Sequence, residues 1–146
     1  MNNRQEDTMK TTLRAFVMSL LAAALIVPVM AGDKPLRPED LKPQTLCPVM
    51  GNAIDSTVYT DYQGQRVYFC CPGCIETFLA NPDTYFVQAA KDSVLFRSVQ
   101  TVCPVMGNPV DPAYWLWYEG RGIYFCCPAC IDTFLAEPAK YLGGIR

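Results

Sequence analysis

The sequence predicts a small α+β protein built from two tandem modules, each with a knuckle, a β-hairpin and a short helix. The first observation is a repeat: residues 44–86 align with residues 100–142 without a gap, and 24 of the 43 aligned positions are identical. The second is that each copy has two β-rich runs about a glycine, followed by an apolar stretch with helical spacing. The third is a set of four cysteines at matching positions in both copies. A duplicated cysteine-bearing unit is therefore expected.

The modules follow a segment, residues 1–31, that is typical of a signal peptide. Lys10 and Arg14 give it a positive start, and residues 15–29 are almost all apolar. A start at Met9 would keep these features. The alternative is an uncleaved membrane anchor, although about 15 apolar residues is short for a spanning helix. We therefore expect a periplasmic or secreted protein, which would contact a membrane only through this segment if it were retained.

The rest of the chain divides into a linker, two modules and a connector. Residues 32–43 are rich in proline and charge, which favours an extended linker. The modules are expected at residues 44–89 and 100–146, with a helix end and a short connector at residues 90–99. The net charge of −2 and the lack of a Lys/Arg cluster give no support for nucleic-acid binding.

Each module opens with the stretch "CPVMGN", whose proline and glycine are typical of a tight knuckle. Two β-rich runs follow about Gln63-Gly64, and again about Glu119-Gly120, which predicts a hairpin in each module. The many aromatic residues of these runs, among them Trp115 and Trp117, are expected to pack the hairpins or the seam between modules.

A helix is predicted after each hairpin. Pro72 is favoured at its first position, with Cys71 at the N-cap. Ile75, Phe78 and Leu79 have the spacing of one apolar face. The helix should end at Asn81-Pro82 because the residue before proline avoids the helical region. The second copy repeats this pattern 56 positions later, and a short second helix is expected to follow in each module.

The composition gives no support for an enzyme. The chain has no histidine, and no serine lies in a nucleophile motif. Asp55 and Asp111 recur after a turn asparagine, and they are expected to cap or turn the chain rather than to catalyse.

The cysteines are expected to hold each module together, because about 45 residues cannot be stabilised by burial alone. Cys70 should end a strand, and Cys74 should lie in the first helical turn. Their sulfurs can then converge across this corner, while the hairpin returns the chain to the knuckle that carries Cys47. This is a treble-clef-like arrangement, in which a knuckle and a helix N-terminus hold one ion from two sides.

The stretches "CPVMGN…GQRVYFCCPGCIETFLANPDTYF" and "CPVMGN…GRGIYFCCPACIDTFLAEPAKYL" resemble the TRASH/YHS family of small metal-binding modules. The resemblance implies three cysteine ligands in each module: Cys47, Cys70 and Cys74, then Cys103, Cys126 and Cys130. It leaves the fourth ligand open. Met50 and Met106 align with a cysteine of family members, and the adjacent Cys71 and Cys127 are the rival candidates.

Thiolate and thioether ligands form a soft set that favours Cu(I) or Zn(II), with up to two ions per chain. A methionine ligand would favour copper, because zinc sites use cysteine, histidine and carboxylate ligands. The alternative for Met50 and Met106 is that they fill gaps beneath the hairpins.

Three functions are compatible with these residues. The first is metal binding for sequestration, sensing or handover to a heavy-metal efflux system, beside which similar modules are found. The second is thiol–disulfide exchange by the Cys71–Cys74 and Cys127–Cys130 motifs, although no βαβ pattern of a thioredoxin-like fold surrounds them. The third is a structural or interaction module stapled by disulfides, which the expected compartment permits. Ligand chemistry and the resemblance both favour the first.

Overall fold

Two β-hairpins and the helices after them dominate residues 36–146, the part of the chain that the computed structural model describes. The predicted signal peptide, residues 1–31, and the first four residues of the predicted linker lie outside the described residues. Within residues 36–146, no helix combines the length and the hydropathy that a membrane span requires.

The first module contains one hairpin, two helices and three two-residue strands. After a 3-10 turn at Pro38–Asp40, its elements are β1 (Lys42–Pro43), β2 (Asp55–Tyr62), β3 (Gln65–Phe69), α1 (Gly73–Ala80), α2 (Pro82–Asp92), β4 (Val94–Leu95) and β5 (Arg97–Ser98). β2 and β3 are antiparallel, and β5 extends their sheet by pairing with β3. β1 and β4 form a separate parallel pair.

The second module repeats the hairpin and the first helix. Its elements are β6 (Asp111–Tyr118), β7 (Arg121–Phe125), α3 (Pro128–Ala136) and α4 (Pro138–Leu142). β6 and β7 pair in the same register as β2 and β3, including an irregularity near the start of the first strand. The predicted fold class, a small α+β protein with two similar cysteine-rich modules, is confirmed.

The hairpin turns lie where the sequence predicts them. Gln63 and Gly64 have φ angles of 45° and 69°, and Glu119 and Gly120 have φ angles of 47° and 81°. Positive φ at both central residues is the signature of a type I′ turn, whose twist matches that of the flanking strands. Each turn therefore fixes the register of its strands.

The helix after each hairpin starts close to the predicted position. α3 begins at Pro128 with Cys127 at its N-cap, as predicted, whereas α1 begins at Gly73 and has Pro72 at its N-cap. The predicted apolar face is wrong at one position in each copy, because Leu79 is 46% exposed and Leu135 is 49% exposed. The buried residues of α1 are Cys74 and Phe78, which lie four positions apart on one face, so the next residue turns towards solvent.

Each module has its own aromatic core. The first core is built around Phe69, Phe78, Phe86 and Phe96, and the second around Phe125 and Phe134 with isoleucines. Phe96 belongs to the segment predicted as a connector, yet only 1% of it is exposed. Residues 90–99 thus complete the first module as the end of α2 and the strands β4 and β5. Leu41, from the predicted linker, is also buried.

Polar contacts join the two modules along a seam between the hairpins. Arg121 is 1% exposed, and its Nε donates a hydrogen bond to Gln63 Oε1 at 2.7 Å. The same guanidinium pairs with Asp83 and lies 4.0 Å from the ring centroid of Phe86. In the other direction, Gln65 Nε2 donates to the carbonyl of Gly122 at 2.8 Å. The described residues therefore fold as one unit.

The indoles of the second hairpin pack against aromatic neighbours, as predicted. The ring centroid of Trp115 lies 6.3 Å from that of Trp117 and 6.3 Å from that of Tyr124. The two aspartates also have the predicted turn role. Asp55 Oδ1 accepts a hydrogen bond from the Thr57 backbone at 2.8 Å, and Asp111 Oδ1 accepts one from the Ala113 backbone at 2.9 Å.

Candidate metal centres

The knuckle places the first cysteine of each module. Gly51 N donates to Cys47 O at 2.8 Å, and Cys47 N donates to Asn52 O at 2.7 Å, so the chain folds back on itself within six residues. Gly51 adopts a φ of 72°, a conformation that a side chain disfavours. The equivalent bonds of Cys103 have the same lengths. Local backbone bonding therefore fixes the position of each of these cysteines within its knuckle.

A glutamine side chain holds the knuckle against the hairpin. Gln44 Nε2 donates to the Tyr68 carbonyl at 2.7 Å, and Gln44 Oε1 accepts from Tyr68 N at 3.0 Å. Gln100 makes the same pair of bonds to Tyr124, at 2.8 and 2.9 Å. The start of the knuckle is thereby attached to strand β3 at Tyr68, two residues before Cys70. Sequence reasoning missed this role, although the identity of Gln44 and Gln100 at the start of the repeat was a signal for it.

The strand-to-helix corner places the other two thiols. Cys70 follows the last residue of β3, and Cys74 lies in the first turn of α1. Their Sγ atoms are 3.8 Å apart, and those of Cys126 and Cys130 are 3.7 Å apart. Two ligands on one tetrahedral zinc ion with Zn–S bonds of about 2.3 Å would be separated by about 3.8 Å. The corner thus already has the spacing of a chelate.

The six cysteines expected as ligands form two three-thiol groups. In each group the three Sγ atoms all lie within 4.8 Å of one another: Cys47, Cys70 and Cys74 in the first module, and Cys103, Cys126 and Cys130 in the second. Two thiols of each group are buried and one is half-buried. All eight cysteines are free thiols. The donor set fits one soft ion per module, because three sulfurs converge from two different elements.

The candidates for a fourth ligand lie beside these groups. Cys71 Sγ is 3.4 Å from Cys74 Sγ, but Cys71 is not a member of the three-thiol group. Met50 is 61% exposed and Met106 is 60% exposed. The alternative in which these methionines fill gaps beneath the hairpins is therefore wrong. The backbone of each methionine hydrogen-bonds to the knuckle cysteine, Cys47 or Cys103, while the residue itself is exposed to solvent.

The thiols of one group have different proton affinities. Burial raises the pKa of Cys47, but hydrogen bonds from the backbone of Met50, Cys70 and Val49 outweigh burial, so the pKa lies below the ordinary thiol value. Burial, together with hydrogen bonds from neighbouring thiols, raises the pKa of Cys74 well above that value. Cys103 and Cys130 repeat this contrast. The knuckle sulfur therefore ionises first, and the helix sulfur keeps its proton longest.

Comparison with known proteins finds a family likeness in the first module. Residues 48–89 match the family model of the YHS domain. The first module is therefore similar to the YHS domain over these residues. No curated protein and no solved structure matches the chain.

The second module is similar to the first in both sequence and site geometry. It repeats the sequence of the YHS domain at a fixed offset and carries a second three-thiol group of the same geometry. The resemblance to tandem TRASH/YHS metal-binding modules is thus confirmed, and a metal ion is the partner that the domain implies.

Proposed function

We propose that this protein is an exported, non-enzymatic metal-binding protein that holds one Cu(I) or Zn(II) ion in each YHS-type module. The observation that carries the proposal is the convergence of three thiols, repeated in two modules of one chain. A single cluster of cysteines could arise from core packing. Two clusters with matched sulfur separations point to a retained ligand geometry.

The donor atoms select the class of ion. Each group offers thiolates, which bind soft or borderline ions and discriminate against magnesium and calcium. The chain contains no histidine, so imidazole cannot complete either site. Three thiolates can hold Cu(I) in a three-coordinate site. Zn(II) would take a fourth ligand, which a water molecule can provide.

The exposure of the site bears on what the protein does with its ion. Cys70 is half-buried, whereas Cys47 and Cys74 are both 2% exposed. The ion would therefore be held from beneath by two buried sulfurs and would be approachable on the side of Cys70. An incoming thiolate could then exchange ligands there. This arrangement suits sequestration followed by handover, and a component of a heavy-metal efflux system is the recipient we propose.

The proposed location follows from the first 31 residues of the sequence. Their positive start, apolar run and small terminal residues favour export to the periplasm or beyond the cell. Thiols exported to such a compartment oxidise unless a metal ion or a reductant protects them. Metal loading would slow the oxidation of the three ligand thiols.

The test is the metal content of the reduced protein. The protein is loaded with Zn(II) or Cu(I) under a reductant, freed of excess metal, and weighed intact by native mass spectrometry. We expect about two ions per chain. Loading with Mg²⁺ or Ca²⁺ is the control and should add no mass. A reduced, folded protein that retains no soft metal would refute the proposed function.

A further inference from the structure

The cysteine that precedes the proline of each corner has a sulfur neighbour but no place in the three-thiol group. The Sγ atoms of Cys71 and Cys74 lie 3.4 Å apart, and those of Cys127 and Cys130 lie 3.3 Å apart. Both separations are shorter than the 3.8 and 3.7 Å between the two corner thiols of each three-thiol group. Because the arrangement recurs in both modules, it belongs to the corner and not to one local packing accident.

We propose that Cys71–Cys74 and Cys127–Cys130 are dithiol–disulfide pairs whose oxidation releases the metal ion of their module. The inference rests on the proposed metal site, because one cysteine of each pair belongs to both. A disulfide bond is about 2.05 Å long, so the two sulfurs of each pair must approach by about 1.3 Å. Rotation of the half-buried cysteine can provide this movement.

Exposure decides which sulfur meets an oxidant first. Cys71 and Cys127 are half-buried, whereas Cys74 and Cys130 are each 2% exposed. The oxidant is a disulfide, either a small molecule such as oxidised glutathione or a disulfide on another protein. The thiolate of Cys71 attacks one sulfur of this disulfide, and a mixed disulfide forms as the first thiolate leaves.

The second step closes the pair. Cys74 gives up its proton, or its bond to the metal ion, and its thiolate attacks the sulfur of Cys71. The mixed disulfide breaks, and the second thiolate leaves. The pair has then lost two electrons, and the disulfide oxidant has been reduced to two thiols. In the unloaded module both protons come from the two protein thiols. In the loaded module one comes from Cys71 and the other from the solvent, because Cys74 was already a thiolate on the ion. Cys127 and Cys130 react in the same way.

The product cannot hold metal as before. A disulfide sulfur is no longer a thiolate, so oxidation leaves two of the three ligands in each module. Two other pairs at the corner are poorer candidates. The Sγ atoms of Cys70 and Cys74 lie further apart, at 3.8 Å, and the adjacent residues Cys70 and Cys71 cannot readily adopt disulfide geometry. Metal binding by each module would therefore depend on whether the disulfides around the protein are reduced or oxidised. An oxidising encounter would release the ion.

The test follows metal release and disulfide formation together. Reduced protein is loaded with Zn(II), and its stoichiometry is measured before oxidised glutathione is added. Released zinc is followed with a colorimetric indicator, and the disulfides are mapped by peptide mass after alkylation. The test variant is Cys71→Ser with Cys127→Ser. The matched control is Gly73→Ala, which gives the first corner the sequence of the second and places a Cβ where no atom lies within 4 Å.

The expected result is one Cys-Pro-Xaa-Cys disulfide per module and loss of both ions in the wild type and in Gly73→Ala. The double variant should load two ions and release them at least about tenfold more slowly. Disulfides that map to other pairs would overturn the inference. So would release from the double variant at the wild-type rate, or failure of that variant to load. Failure of the wild type to load, read before oxidation, would instead refute the proposed function.

Discussion

The two modules differ after the first helix. In the first module the second helix, α2, has 11 residues and two short strands follow it, whereas in the second module the corresponding helix, α4, has five residues. The hairpin of the first module gains a third strand, and that of the second has two. The two cores also differ: Phe86 and Phe96 enlarge the first, and Ile145 closes the second.

None of these differences reaches the cysteines. The corner sulfurs are separated by 3.8 Å in one module and 3.7 Å in the other, and the knuckle hydrogen bonds have equal lengths. The knuckle, the hairpin turn and the proline-led helix therefore set the site, while the remaining structure is free to vary. Two independent ions in equivalent sites is the simplest consequence of this likeness.

Removing the helix thiol of one module should have the largest effect. Cys74→Ser and Cys130→Ser each leave two thiolates in one module and three in the other. We expect the bound metal to fall from about two ions to about one in each variant, and to none in the double variant, by native mass spectrometry. Loss of both ions in a single variant would show that the modules are coupled and not equivalent.

Substitutions that disturb the seam between the modules should differ in how much stability they remove. A Cβ on Gly120 would overlap the backbone carbonyl of Phe86, which cannot move away, whereas a Cβ on Gly64 would meet the side-chain end of Ile145. Gly120→Ala should therefore lower the free energy of unfolding by about 3–5 kcal/mol, and Gly64→Ala by about 1–3 kcal/mol.

Gly107→Ala is the matched control, because it measures the cost of a side chain at positive φ without a steric clash. Gly107 also has a positive φ, of 72°, but a Cβ there meets no atom within 4 Å, so about 1 kcal/mol is expected. Denaturant unfolding of the three variants separates the steric cost from the conformational cost. Equal losses in all three would mean that the hairpin turns do not interlock the modules.

The sequence predicts the parts of this molecule whose causes are local. A turn such as Gln63-Gly64 needs positive φ within two residues, and the strand end and helix start flank one proline. The hairpins and the strand-to-helix corners can be predicted from these local features. The close approach of the two corner sulfurs follows from the corner. Whether these sulfurs bind metal in the protein stays a prediction.

The seam could not be predicted, because its contacts join residues that are far apart in the chain. Arg121 and Gln63 are 58 positions apart, and Gln65 and Gly122 are 57 apart. In sequence, Arg121 and Gln65 look like ordinary polar strand residues. They are buried only because a second hairpin covers them. Phe96 was missed for the same reason, since nothing in a short connector shows that it folds back on the first core.

Metal affinity should rise steeply with pH in both modules. The pKa values of Cys70 and Cys74 lie above the ordinary thiol value, in each case with burial as the largest cause. Both thiols are therefore protonated near neutral pH and must lose a proton to bind an ion. Release of these two protons strengthens binding by about 100-fold per pH unit, and any proton still held by Cys47 adds to this slope. Acidification weakens binding to the same extent.

Competition with a chelator of known pH dependence, at pH 6, 7 and 8, measures this slope. Cys126 and Cys130 have pKa values shifted in the same direction, so the two single-site variants Cys74→Ser and Cys130→Ser should give the same slope. A slope near zero in either would mean that its thiols are already ionised before the metal ion arrives.

Replacing the exposed methionines should have the smallest effect. Met50 and Met106 lie in knuckles whose backbone donates hydrogen bonds to the first cysteine, but the two residues are 61% and 60% exposed and are not packed against the site. Three thiolates provide most of the affinity, and a weak thioether adds to it only for a soft ion. In Met50→Leu with Met106→Leu, we expect Cu(I) affinity to fall by less than about tenfold and Zn(II) affinity to stay constant. Zn(II) is thus the internal control for folding. A Cu(I) loss of several hundredfold with Zn(II) unchanged would show that the methionines are full ligands. The single variants Met50→Leu and Met106→Leu test the modules separately. Different Cu(I) affinities in these two variants would show that the two metal sites are not equivalent.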